Sequence, residues 1–207
     1  MNPPDAPGES PGAGKFTRLQ TALGGVTLIR PVIHRDHRGF FLESYNKEEF
    51  KKLGIFTEYL QDNHSYSEKG VIRGLHFQRI HPQEKLVRVV RGSVFDVAVD
   101  IRNESPNFGK SIGIILSPSD MTLVHIPVGF AHGFLALEDN TQVLYKTSEL
   151  YDPQYEGGVV WCDPDLDIPW PLEKYEISQP IISDKDQKLP FFSDLISSAP
   201  ERGNRFL

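Results

Sequence analysis

Seven stretches of the chain alternate polar and apolar residues with period two: "VTLIR", "GFFLESY", "LVRVV", "SVFDVAVDI", "KSIGIIL", "TLVHI" and "TQVLYKT". They are rich in β-branched and aromatic residues, and Gly, Pro, Asn and Asp separate them. Such runs are short strands with one face turned to a core, and the intervening residues are those that turn a chain. Many short strands with frequent turns fold as an antiparallel sandwich or a closed barrel, so the expected class is all-β. One segment breaks the period. In "NKEEFKKLG", Asn46 can cap a helix, Phe50 and Leu53 form an apolar stripe, and Gly54 ends it.

The 207 residues suit one domain of this kind. Residues 1–15, "MNPPDAPGESPGAGK", lack hydrophobic period and read as a disordered extension. Residues 16–207 then form a single domain with short peripheral helices and an irregular, proline-punctuated tail from about 172. The tail segment "FFSDLISSAPERG" is open between a short helix and a packed strip, and no chemistry is assigned to the tail.

Lys and Arg total 22 against 28 Asp and Glu, a formal charge of -6, which leaves no basic excess to follow a phosphate backbone. Nucleic acid is excluded as the expected partner. No apolar run approaches the roughly 18 residues of a membrane span, and the start has no apolar signal core. A cytoplasmic protein is expected. Cys162 is the only cysteine and is read as inert packing.

Strict alternation on "VIRGLHFQ" puts Ile72, His76 and Gln78 on one face and Arg73, Leu75 and Phe77 on the other. Lys85 shares a face with Val87 and Val89, and Tyr145 with Thr141 and Val143. Asp96 and Asp100 alternate with Phe95, Val97, Val99 and Ile101, which assigns them to solvent or to a polar lumen. A small barrel would bring His76, Gln78, Lys85, His132 and Tyr145 onto one lumen. His34, His37, His64, His81 and His125 are assigned to surface or structure, and Glu84, with His81, to a solvated turn.

The spacing of Gly70, His76, Gln78, Lys85 and Gly92 resembles the first cupin motif, and "PVGFAH" resembles the second. That resemblance implies a double-stranded β-helix, or jelly-roll barrel, with a ligand site in its lumen. Metal-binding cupins carry histidines and a carboxylate at these positions. Here Gln78 and Lys85 stand in two of them, and an ammonium repels a divalent cation, so no metal is expected.

A narrower resemblance runs from about Gly25 to Pro171. "GFFLESY", "QDNHSYS", "VIRGLHFQ", "KLVRVVRGSVFDVAVDIRNESPNFGK", "IPVGFAHGF", "LYKTSELYDPQYEGG" and "VVWCDPDLDIPWP" are similar, in order and spacing, to the dTDP-4-dehydrorhamnose 3,5-epimerase family. The resemblance implies a cofactor-free isomerase that inverts C3 and C5 of dTDP-4-dehydro-6-deoxy-glucose in dTDP-L-rhamnose biosynthesis. It implies His76 as base, Asp163 beside it, Lys85 as the cation at the enolate oxygen, and Tyr145 as proton donor, with Tyr151 as the competing tyrosine. For substrate binding it implies Arg38, Glu43, Gln61, Asn63, Arg73, Lys85, His132 and Glu156. It also implies a homodimer in which the early strands complete the partner's sheet, so that Arg38 and Glu43 serve the neighbouring site.

The residue types suit this chemistry. A proton beside a ketone is acidic because the carbanion delocalises onto oxygen, so inversion needs a base on one ring face, a cation at the oxygen and an acid on the other face. Rival readings are an epimerase acting only at C3 or only at C5, a metal-dependent cupin enzyme, and a non-catalytic binder of sugar nucleotides.

Overall fold

The computed structural model describes residues 14–198. The expected extension lies, through residue 13, outside the described residues, as does the tail beyond 198. Strands β1 (Phe16–Gln20) and β2 (Thr27–Pro31) precede a small hairpin of β3 (His34–Asp36) and β4 (Gly39–Phe41), and helix α1 (Lys47–Lys52) follows. Next come β5 (Gln61–Ser67), β6 (Val71–Gln78), β7 (Lys85–Arg91), β8 (Val94–Asp100), β9 (Ser111–Leu116) and β10 (Leu123–Ile126). The chain continues through β11 (Phe130–Ala136), β12 (Thr141–Thr147), β13 (Glu156–Gly158) and β14 (Ile181–Ile182), a 3₁₀ turn at Asp186–Lys188, and helix α2 (Phe192–Ser198).

Two sheets face each other, as the jelly-roll expectation requires. One has six strands in the order β1-β2-β10-β7-β12-β5; the other runs β13-β6-β11-β8-β9, and β14 pairs with β6 in parallel. Between them Val87, Val89, Val124, Ile126 and Val143 meet Val94, Ala98, Leu116, Phe130 and Phe134. The outer face of the five-stranded sheet is covered as well, by Val159, Leu166, Ile177, Phe192 and Leu195 of the C-terminal segment. This double cover explains why β8 and β11 are buried at every residue. The tail is thus part of the core. Its "FSDLISS" forms α2, with Phe192 and Leu195 buried.

Helix α1 forms where expected. The Asn46 side chain accepts hydrogen bonds from the amides of Glu48 and Glu49, a cap that contributes about 1 kcal/mol. The reciprocal half of a capping box is absent: the Glu49 carboxylate bonds Lys15 and Lys52 instead. Phe50 packs onto Phe16, Ile29, Ile55, Leu86 and Leu123 on the outer face of the six-stranded sheet. "GFFLESY" is strand only over Gly39–Phe41. "QDNHSYS", which carries no apolar period, is the edge strand β5; Gln61 and Asn63 alternate with the exposed Asp62 and His64. Among the described residues no helix is long and apolar enough to cross a membrane.

The alternation expected on β6 fails at its centre. His132 pairs with His76 and Phe134 with Arg73, so three steps on β6 oppose two on β11. The extra residue, at Gly74–Leu75, resets the parity of the strand. Ile72, Leu75 and Phe77 therefore share the outer core, whereas Arg73 and His76 both face the cavity between the sheets. The backbones nearly touch here. A Cβ on Gly74, whose φ is +119°, would lie 2.6 Å from the Cα of Gly133.

Candidate active site

A cavity of about 640 Å³ opens between the sheets. The six-stranded sheet contributes Gln61 and Asn63 from β5, Lys85 from β7 and Tyr145 from β12. Arg73 and His76 from β6, His132 from β11 and Glu156 from β13 come from the opposite sheet, and Tyr151 from the connecting loop. Eight of the expected residues therefore line one space, since Arg73 joins them through the bulge.

Asp163 does not stand beside His76. Its Oδ1 accepts from the amides of Asp165 and Leu166, and its Oδ2 from the amide of Phe192 at 2.6 Å, so it ties a turn to the start of α2. Three backbone donors occupy the carboxylate, and the acid is 3% exposed. The partner of His76 is Asp186, whose Oδ1 lies 2.8 Å from Nε2. A carboxylate only accepts, so Nε2 carries the proton and Nδ1 keeps the lone pair. Asp186 is itself fixed: its Oδ2 accepts from the amide of Gly74 at 3.1 Å, and its amide bonds Ser183. Burial alone would raise this acid, but the bond from His76 holds it below the ordinary carboxylate range.

The tail supplies a second group. Lys185 bonds Glu156, which also accepts from the Tyr151 hydroxyl at 2.7 Å. Burial would raise Glu156, yet Lys185 and Tyr151 bring it below its usual value. Glu156 Oε1 stands 4.0 Å from His76 Nε2. Lys185 and Asp186 were missed in the sequence because they lie in the polar run "SDKDQK", without period or motif; the only local signal is the preceding isoleucine pair that forms β14.

Lys85 is buried and donates to the carbonyl of His76 at 3.4 Å. Burial pulls its pKa down to about 8, against the opposing pull of Asp96 and Glu156. Tyr145 is raised above a free phenol by burial, which keeps its proton in place at neutral pH. His132 donates from Nε2 to Asp96 at 2.9 Å. Arg73 is held toward the rim by Ser67 Oγ and the carbonyl of Tyr66. Gln78 stands behind the wall: its amide donates to the carbonyls of His81 and Leu150 and accepts from the amide of Asp152, and so holds the loop that carries Tyr151.

Arg38 and Glu43 lie outside this cavity. Arg38 is exposed on the β3–β4 hairpin and paired with Asp36 at 2.6 Å, and Glu43 bonds Lys15 and Asn46. His125 is buried and structural, as expected, but Glu84 is no solvated turn residue: it accepts from His125 at 3.0 Å and from Thr57. Among the described residues no three His, Cys, Asp or Glu side chains gather as metal ligands.

A family model described as dTDP-4-dehydrorhamnose 3,5-epimerase matches residues 20–194. The chain is 49% identical over 173 residues to the dTDP-4-dehydrorhamnose 3,5-epimerase of Methanothermobacter thermautotrophicus, covering 84% of this chain and 92% of that one. Among solved structures, the dTDP-6-deoxy-D-glucose-3,5-epimerase of Legionella pneumophila in complex with dTDP-4-keto-L-rhamnose superposes with a TM-score of 0.82 at 42% identity, over 86% of this chain and 93% of that chain. A 3'-monoepimerase from Streptomyces bikiniensis in complex with dTDP-quinovose gives 0.79 at 33% identity, over 86% and 88%. Matched by the family model over most of its length, and with the expected sheets and cavity, the chain belongs to the dTDP-4-dehydrorhamnose 3,5-epimerase family.

Proposed function

We propose that the chain epimerises dTDP-4-dehydro-6-deoxy-glucose at C3 and C5, as an isomerase of dTDP-L-rhamnose biosynthesis. The observation that carries this reading is the opposition of His76, backed by Asp186, on one sheet to Tyr145 and Lys85 on the other, across a single cavity. His76 takes the proton from the carbon beside the C4 ketone. The electron pair moves into the ring as an enolate, whose oxygen the Lys85 ammonium stabilises. Tyr145 returns a proton from the opposite face, and solvent resets both groups. No electron is gained or lost, so the step needs no redox partner. Asp186 orients the imidazole and stabilises the cation it becomes.

Arg73, Gln61, Asn63, His132, Glu156 and Lys185 surround the ring and the diphosphate, where an arginine fork suits phosphate oxygens. The chain works as a homodimer in which the hairpin bearing Arg38 completes the partner's site. In support, Arg38 and Glu43 are not among the residues that line their own cavity, and Phe40 and Phe41 are exposed beside them.

Incubation with dTDP-4-dehydro-6-deoxy-glucose in D2O, read by NMR, tests the reaction. Deuterium at both C3 and C5 is expected. Label at C3 alone would make the chain a monoepimerase like its Streptomyces neighbour, and label at neither carbon would remove the reading. A second expectation concerns pH. Since Lys85 acts as a cation and its pKa is drawn to about 8, kcat falls as pH rises through about 8. A kcat that stays flat to pH 10 rules out this role for Lys85.

A further inference from the structure

The loop from β12 to β13 crosses from the six-stranded sheet to the five-stranded one and carries Tyr151 into the lining of the cavity. Burial does not hold this part of it. Leu150 is 62% exposed and Tyr151 49%, so neither side chain is anchored in a core. Among the described residues, no main-chain group bonds the main chain of Glu149, Leu150 or Tyr151. Side chains take that place. Gln83 donates to the Glu149 carbonyl at 2.9 Å, and Gln61, on β5, accepts from the Tyr151 amide at 3.0 Å.

Gln78, at the end of β6, makes the fullest set. Its Nε2 donates to the Leu150 carbonyl at 3.2 Å, and its Oε1 accepts from the Asp152 amide at 3.0 Å, so it bonds the residue on each side of Tyr151. The same Nε2 donates to the His81 carbonyl at 2.7 Å, which ties the loop to the turn between β6 and β7. An amide suits this place because one planar group offers two donors and an acceptor. Gln78 is 5% exposed, and unlike Gln61 and Gln83 it is not among the residues that line the cavity. The tip of the Tyr151 ring is held separately, by its hydroxyl bond to Glu156 at 2.7 Å.

We propose that Gln78 is a positioning residue for substrate binding: by bonding the main chain on both sides of Tyr151, it presents that ring as a preformed wall for the flat base of the nucleotide, and so sets affinity rather than turnover. A loop free to move would have to be ordered as substrate binds, at a cost in affinity. The chemical step is insulated from that cost. His76, Lys85 and Tyr145 sit on strands held by their own ladders, β6 to β11 and β7 to β12. The position that a metal ligand takes in the cupin motif thus serves a loop instead.

This inference rests on the reading of the substrate as a dTDP-sugar. Gln78→Met keeps the length of the side chain and removes all three bonds. By calorimetry its Kd for dTDP is expected to rise about tenfold, the scale of one base–aromatic stack. KM for the sugar nucleotide rises with it, while kcat at saturation stays near that of the parent. Tyr151→Ala weakens dTDP binding to a similar degree, and adding Gln78→Met to it changes Kd little further, because the two act as one unit. A parental Kd in Gln78→Met, a loss of kcat without a loss of affinity, or additive effects in the double variant overturns the proposal. A second readout needs no variant and no ligand. In the parent, the amide hydrogens of Tyr151 and Asp152 are expected to exchange slowly although the loop is exposed. Exchange at the rate of an open loop overturns the proposal even if Gln78→Met fails to fold. Failure of the parent to bind dTDP would instead remove the substrate reading, so the two are told apart.

Discussion

Asp186→Asn lowers kcat by about 10²- to 10⁴-fold, the range a positioned base contributes, while affinity for dTDP measured by calorimetry stays close to that of the parent. The amide is isosteric, and its oxygen can still accept from Gly74, so the local fold is kept. What is lost is the negative charge facing Nε2. An amide can turn its NH2 toward the imidazole and reverse the tautomer, and in either orientation the imidazolium formed on proton abstraction loses its stabilising partner. Asp163→Ala separates the two acids. It orphans the buried amides of Asp165, Leu166 and Phe192, each worth about 1–3 kcal/mol, so the melting temperature drops sharply, while kcat of the folded fraction stays near that of the parent. If Asp163→Ala abolishes kcat in well-folded enzyme while Asp186→Asn leaves it intact, the assignment of the dyad is wrong.

Gly74→Ala destabilises the protein by roughly 2–5 kcal/mol, the sum of a left-handed backbone forced on alanine and an overpacked contact. The added Cβ would lie 2.6 Å from the Gly133 Cα and 2.8 Å from the His132 carbonyl, and both neighbours are backbone that cannot rotate away. Any relief must separate β6 from β11. Since those strands carry His76 and His132, the protein that survives should also lose kcat, more than an equally destabilising substitution in the outer core such as Ile177→Ala. Denaturant melts paired with kinetics below the transition check this. A variant with parental stability would show that the bulge tolerates a side chain.

Alternation was enough to find an all-β sandwich or barrel because most strands have one face in a core, and the motif resemblance narrowed it to the two-sheet jelly roll. Alternation also placed Lys85 and Tyr145 correctly, since β7 and β12 run without irregularity where those residues lie. For Arg73, strict alternation conflicts with the binding role the family resemblance implies, and the sequence leaves open a bend near Gly74 or a reach from the rim; the structure has the bend, for which the close approach of Gly133 gives the reason. Asp163 was paired with His76 by likeness of motif; the fold instead needs its carboxylate for the backbone of an irregular segment. Asp186 escaped because the interaction spans 110 residues and ends in a polar turn, where no periodicity operates. Glu84 looked like a turn residue from its neighbours in sequence, whereas its environment is set by His125 on another strand.

The late position of Asp186 also bears on how the enzyme comes into being. The strands that carry His76, Lys85 and Tyr145 are complete by Thr147, and a chain cut or stalled shortly after that point could still pair them. It would hold an imidazole with no carboxylate behind it, and the outer core on the five-stranded sheet would lie open where Phe192 and Leu195 belong. The same docking event that seals that core delivers the acid to the base. Catalytic competence on this reading requires that the polypeptide be finished through α2, and fragments released early during synthesis or by proteolysis would turn over the sugar nucleotide far more slowly.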